Sequence, residues 1–156
     1  MVLREPATER FPKGGMPYRF LEEIAIADVA FEADGRTLPE VFEASAFALT
    51  EVMVDLAGLS PALQHQISLT AEDLETLLFR WLAELIYLKD THGLLFRRFQ
   101  ITIREGEESA LQATLWGDQI DYEKMSLKLD VKAVTYHLFT LEQIPEGWRA
   151  QVVLDI

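Results

Sequence analysis

The sequence contains no cysteine, and that absence excludes several classes of protein. Disulfide-stapled scaffolds, thiolate zinc sites, cysteine nucleophiles and redox-active thiols all need at least one thiol. Long apolar runs are also missing, since none approaches the roughly 18 residues that a membrane-spanning helix requires. No apolar stretch typical of a secretory signal follows the N-terminal basic residues. We therefore expect a cytoplasmic protein that does not contact membranes.

Positive charge is scarce. Fourteen Lys and Arg residues stand against 26 Asp and Glu residues, which gives a formal net charge of −12. Phosphate backbones are bound by clustered cations, so strong direct binding of nucleic acid is not expected. An acidic surface attracts divalent cations and basic protein partners. The same acidity also keeps a small protein soluble without any ligand, so charge alone leaves both interpretations open.

The 156 residues, of which 49% are hydrophobic, suffice for one domain with a core. Residues 1–16 hold prolines and glycines without apolar periodicity and predict a flexible N-terminal arm, which leaves the domain to residues 17–156. Thr37–Glu40 and Thr70–Asp73 resemble helix starts, and the apolar residues after each recur at helical spacing. The first helix should stop near Gly58 and Pro61.

The remaining segments alternate between apolar and polar residues, or are apolar throughout, and predict strands. Their ranges are 18–33, which is one strand or a hairpin, 63–69, 94–104, 110–116, 126–141 and 148–155. The segments 94–104 and 110–116 should pair as a hairpin across the turn between them. Because helices come early and strands accumulate late, the pattern predicts an α+β fold. We expect two helices packed on a mostly antiparallel β-sheet in a single two-layer domain.

Two acidic residues stand where the pattern favours apolar ones. Asp28 is flanked by Ala27 and Val29, and a carboxylate inside an apolar strand is costly unless it is paired or bound to a metal. Asp155 follows an apolar strand and precedes the carboxylate of Ile156, so this end could suit a hard cation that takes oxygen ligands. The alternatives are an Asp28 that caps a strand end and a solvated tail.

The segment 130–137 carries the remaining candidates. Lys132 could bind a phosphate or pair with a carboxylate, and we expect it to share one strand face with Tyr136. His137 could carry a proton or bind a metal, although a lone histidine among apolar residues is more often structural. The sequence contains no HExxH, P-loop or GxSxG motif, so no enzyme signature is visible.

Taken together in their order and spacing, these residues resemble the archease family. The resemblance covers roughly residues 17–156 and is carried by the segments 18–22, 27–29, 35–38, 42–44, 81–88 with Asp90, 132–137 and 155–156. One departure lies before Asp28, where this chain has Ala25-Ile26-Ala27 and the family usually has His-Thr-Ala.

The resemblance implies a non-enzymatic accessory protein of the RtcB-type RNA ligase, which acts in tRNA splicing and RNA repair. Such a protein promotes guanylylation of the ligase and its multiple turnover. The family resemblance assigns a divalent cation, Ca²⁺ with Mg²⁺ or Mn²⁺ as alternatives, to Asp28, Asp155 and Ile156. It also assigns activation of the ligase partner to Lys132, in the segment that includes Tyr136 and His137.

Two other functions fit the same sequence. One is a chaperone-like binding partner of tRNA-modifying enzymes such as a tRNA methyltransferase, which an acidic surface would also suit. The other is a small metal-dependent hydrolase, for which no activated nucleophile or water-positioning base can be named.

Overall fold

The computed structural model describes residues 17–21 and 28–156. The described chain forms β1 (Tyr18–Leu21), β2 (Asp28–Gly35), α1 (Leu38–Met53), β3 (Leu63–Ala71), α2 (Leu74–His92), β4 (Leu94–Arg104), β5 (Ser109–Gln119), β6 (Ala133–Ile144) and β7 (Gly147–Asp155), with a 3₁₀ turn at Leu56–Gly58. Two helices on antiparallel strands confirm the α+β class. The N-terminal arm predicted for residues 1–16 lies outside the described residues. Neither described helix is long and apolar enough to cross a membrane.

The strands divide between two sheets rather than one. The larger has the order β1-β2-β7-β6 and the smaller has the order β3-β5-β4, and every pair of neighbours is antiparallel. Strand β7 lies inside the larger sheet, between β2 and β6. On one face of the larger sheet Phe31 lies opposite Val152, and both side chains are fully buried. The start of β2 and the end of β7 are therefore neighbours.

Local capping explains where the helices begin. The Thr37 hydroxyl accepts a hydrogen bond from the Glu40 backbone N–H at 3.3 Å, while the Glu40 carboxylate accepts from the N–H of Arg36 at 2.9 Å. Asp73 accepts from the Thr76 N–H at 2.7 Å, and that bond lowers the pKa of the Asp73 carboxyl. The cap at Thr37 was predicted from the sequence, whereas the second helix is capped by Asp73 rather than by Thr70, which belongs to β3.

The core is shared by both helices and both sheets. Helix α1 packs on β2 and β7 of the larger sheet and on β4 of the smaller one. The Trp81 indole N–H on α2 donates to the Phe42 carbonyl of α1 at 3.0 Å, so this fully buried ring has its polar atom satisfied. The Tyr18 hydroxyl donates to the Glu51 carboxylate, which ties β1 to α1. Burial and the neighbouring Glu51 raise the pKa of Tyr18.

The long strand predicted over residues 126–141 is shorter than expected, since β6 begins only at Ala133. The residues before it pair with the end of α1. The N–H groups of Lys128 and Leu129 donate to the carbonyls of Met53 and Val52, at 2.8 and 3.1 Å. The last carbonyls of a helix have no partner within it, so this segment satisfies groups that would otherwise be free. Helix α1 ends at Met53, five residues before the Gly58 at which the sequence predicted its end, and the next residue, Val54, pairs with Leu127.

Candidate functional site

The acidic candidates meet at one end of the larger sheet. Asp28 is the first residue of β2, Asp155 is the last residue of β7, and the two lie directly opposite each other. Residues opposite each other on antiparallel strands point to the same face, with Cβ atoms about 4.5–5.5 Å apart. The Asp28 side chain is half-buried and that of Asp155 is exposed. The fold thus brings together two carboxylates that are far apart in the sequence.

Among the described residues, no cation neutralises this pair. Within residues 17–21 and 28–156, no ion pair and no side-chain hydrogen bond involves the carboxylate of Asp28 or Asp155. Like charges that face each other across two strands are destabilising. Carboxylate oxygens are the ligands that Ca²⁺ and Mg²⁺ prefer, so the donor chemistry fits a hard divalent cation.

The described side chains supply only part of a coordination sphere. No group of three or more His, Cys, Asp or Glu side chains that could hold a metal lies in this part of the chain. The main-chain carboxylate of Ile156, one residue after Asp155, is the remaining oxygen donor proposed from the sequence. The Ile156 side chain is half-buried and packs against the core, which anchors the residue next to the acidic pair.

Lys132 lies beside the same strand end. Its backbone N–H donates to the carbonyl of Asp155 at 2.8 Å, and the next residue, Ala133, lies opposite Asp155 across β6 and β7. The Lys132 side chain is exposed. We call the group of Asp28, Lys132, Asp155 and Ile156 the strand-end site.

Tyr136 and His137 lie further along β6, where the strand is irregular. Thr135 faces Val153 but Thr140 faces Gln151, so the four residues 136–139 form a bulge opposite a single residue of β7. The Tyr136 ring stacks on Phe79 of α2 at a centroid distance of 3.8 Å. The sequence pattern predicts Lys132 and Tyr136 on one face of a strand. In the structure Lys132 lies just before β6 and Tyr136 lies in its bulge.

Within this bulge Leu138 has a left-handed backbone, with φ of 56°. Its carbonyl accepts a hydrogen bond from the Gln151 side chain at 3.0 Å. A side chain at positive φ costs free energy, so the bulge is held by its contacts rather than by local preference. Three residues of the bulge, Tyr136, His137 and Leu138, are exposed to solvent.

One contributor was missed by the sequence analysis. Lys89, in the last turn of α2, donates to Asp130 at 2.5 Å and to the Val131 carbonyl at 2.7 Å. Both partners immediately precede Lys132. A lysine in the last turn of a helix is common because its charge interacts favourably with the helix dipole, so Lys89 did not stand out. Its partner Asp130 is 41 residues away, and no local sequence pattern indicates such a contact.

Comparison with known proteins gives a consistent result. The model of the Archease protein family matches residues 18–156. A protein archease of Methanosarcina acetivorans is 41% identical over 147 residues, covering 93% of this chain and 99% of the relative. One from Pyrococcus furiosus is 40% identical over 132 residues, covering 83% and 93%.

Two solved structures resemble the fold. The solution structure of Methanobacterium thermoautotrophicum protein 1598 superposes with a TM-score of 0.80 at 33% identity, covering 91% of this chain and all of that one. The crystal structure of an archease and possible chaperone from Thermotoga maritima has a TM-score of 0.58 at 23% identity, covering 85% and 93%. At that lower identity the second likeness concerns the fold alone.

Proposed function

Because the chain belongs to the archease family, we propose that it is a cytoplasmic, non-enzymatic protein that activates an RtcB-type RNA ligase. In this proposal it promotes guanylylation and multiple turnover of the ligase in tRNA splicing or RNA repair. The partner is a protein, and RNA is bound by the ligase rather than by this acidic chain. The observation that carries the proposal is the direct opposition of Asp28 and Asp155, two acids without a protein counter-ion in the described chain.

We propose that the strand-end site holds a divalent cation. Asp28, Asp155 and the Ile156 carboxylate would contribute oxygen ligands, and Ca²⁺ is favoured over Mg²⁺ or Mn²⁺ because it accepts irregular oxygen coordination. The bound cation would supply neutralisation of the paired acids. The exposed Lys132 beside it would add a positive charge that can meet a carboxylate or phosphate of the ligase.

Tyr136 and His137 extend this surface. Their exposure on a bulge that Phe79 and Gln151 support gives the partner a preformed contact, which costs less entropy on binding than a disordered loop. We therefore assign them to partner binding rather than to the metal.

The proposal is tested by RNA ligation with limiting RtcB-type ligase and excess RNA carrying 3′-phosphate and 5′-hydroxyl ends. The wild-type chain should convert a single turnover into many. Asp28→Asn should remove this effect and weaken Ca²⁺ binding by at least about tenfold, as measured by calorimetry, since a charged ligand is lost.

Glu32→Gln is a matched control. Glu32 lies on the same strand and face as Asp28, but Arg19 already pairs with it at 2.7 Å, so the variant should activate like wild type. Identical progress curves with and without the wild-type chain would reject the proposal. In that case, help for several tRNA-modifying enzymes without need of Asp28 or Lys132 would favour the chaperone-like alternative.

A further inference from the structure

The connection between β5 and β6 contacts three other parts of the molecule: the end of α1, the end of β7 and Lys89 of α2. Residues 126–129 pair with the end of α1, and Lys132 bonds through its backbone to Asp155 at 2.8 Å. Between these contacts, residues 130 and 131 belong to no helix or strand. The Val131 side chain is fully buried, but its carbonyl and the exposed side chain of Asp130 both reach the ammonium group of Lys89.

Lys89 has several partners in this arrangement. Its ammonium group donates hydrogen bonds to Asp130 at 2.5 Å and to the Val131 carbonyl at 2.7 Å, and it forms an ion pair with Asp90 at 2.8 Å. Only 9% of the Lys89 side chain is exposed, whereas its two acidic partners are more than half exposed. Lys89 is thus the buried member of these ion pairs, and its side chain reaches from α2 to the connection between β5 and β6.

Because burying an ammonium group costs free energy, we infer that Lys89 serves to position the groups it binds. An apolar side chain could fill the same space without being desolvated as a charge, and such replacements often leave stability unchanged or higher. Burial lowers the pKa of Lys89, but the hydrogen bonds and charges of Asp130 and Asp90 outweigh it and leave that pKa above its ordinary value. The amine therefore stays charged at neutral pH and holds its acceptors in fixed directions.

We propose that Lys89 is a positioning residue for the strand-end site: it fixes residues 130 and 131 so that Lys132 stays beside Asp155. The effect passes through the backbone. Because Val131 is adjacent to Lys132, a shift of the Val131 carbonyl moves the Lys132 N–H away from its acceptor on β7. The geometry is set by a contact between residues 41 or more positions apart, without Lys89 touching the proposed cation or partner. The consequence for ligase activation rests on the proposed function, whereas the consequence for the backbone does not.

Hydrogen exchange of the Lys132 amide tests the proposal directly. In Lys89→Met, which keeps an unbranched side chain one atom shorter and removes its charge, this amide should exchange about tenfold faster or more, since hydrogen bonds to a charged group are lost. Amides in the β2–β7 ladder, such as those of Val29 and Leu154, should keep their wild-type rates. Lys89→Arg, which retains the donors, should restore most of the protection.

A second ion pair provides the control. Arg149 pairs with Asp34 at 2.8 Å at the opposite end of the β2–β7 pair, so Arg149→Met removes a comparable contact without touching residues 130–132. It should leave exchange at Lys132 unchanged. If Lys89→Met does not fold, Asp130→Asn, on an exposed side chain, should produce a smaller increase at the same amide.

Activation gives the second measurement. Lys89→Met should raise the concentration for half-maximal ligase stimulation by about tenfold while Arg149→Met leaves it unchanged. Unchanged exchange at Lys132 in Lys89→Met, or an equal increase at every amide, would overturn the positioning role. If Asp28→Asn has no effect on ligation but Lys132 exchange responds as expected, the proposed function fails and the positioning role stands.

Discussion

The two ends of the β2–β7 pair treat their acidic residues in opposite ways. At one end Asp34 lies opposite Arg149, which pairs with it at 2.8 Å, and Arg19 adds a second contact at 3.2 Å. At the other end Asp28 lies opposite another acid, Asp155, and no cation of the described chain reaches either. Both ends share the same strands and the same face of the sheet.

The difference separates an acid whose charge is satisfied within the fold from a pair of acids that we propose to bind a cation. Burial would raise the pKa of Asp34, but hydrogen bonds and charges from Arg149 and Arg19 outweigh it and hold that pKa below its usual value. Its charge is satisfied within the fold, so it needs nothing from outside. Two facing carboxylates without a counter-ion among the described residues repel each other, so a ligand that supplies positive charge would stabilise them. This property is expected of a binding site.

The largest effect should come from making the two ends alike. Asp155→Arg would place a cation opposite Asp28 and remove the need for a metal. We expect wild type to gain about 2.7 kcal/mol of unfolding free energy in Ca²⁺ at 100 times its Kd, and the variant to gain none. Thermal melts with and without Ca²⁺ measure this, and an equal gain in both proteins would contradict the strand-end site.

The reverse exchange should have a smaller effect. Arg149→Asp would set a second acid opposite Asp34, and we expect it to lower the free energy of unfolding by about 1 kcal/mol because a partly exposed ion pair is replaced by repulsion. Urea unfolding checks this. A variant as stable as wild type would mean that the compensated end contributes nothing to the fold.

The smallest effect concerns pH. Because the pKa of Asp34 is lowered in the folded state, its contribution is present above the unfolded pKa of about 3.9 and is lost as pH falls through the folded pKa. Asp34→Asn should therefore cost about 0.5 kcal/mol at pH 7, a value reduced by solvent screening, and nothing at low pH. Urea unfolding at pH 7 and near pH 2 compares the two. A cost that does not change with pH would assign it to packing.

Local signals predicted the helices and the hairpin of β4 and β5. Thr37 and Asp73 cap residues three positions away, and Gly93, with φ of 64°, ends α2 in the left-handed conformation that favours glycine. The strand-end site was partly predictable as well, since an acid in an apolar setting drew attention to Asp28 and Asp155. Their function as metal ligands stays a prediction.

Long-range contacts set what the sequence could not predict. Alternation continues from 126 to 141, yet the strand starts at Ala133 because the end of α1 and Lys89 hold the preceding residues elsewhere. The bulge after Thr135 likewise depends on Phe79 and Gln151, which lie on other elements. The division into two sheets depends on which strands pair, and the alternation of apolar and polar residues within a strand does not specify its partner.

The interior place of β7 has a consequence for biosynthesis. A nascent chain that has not yet reached Gly147 leaves β2 and β6 with their inner rows of N–H and C=O groups unpaired. Open rows of this kind are templates for aggregation, so the chain is most vulnerable to aggregation until β7 has been synthesised and inserted.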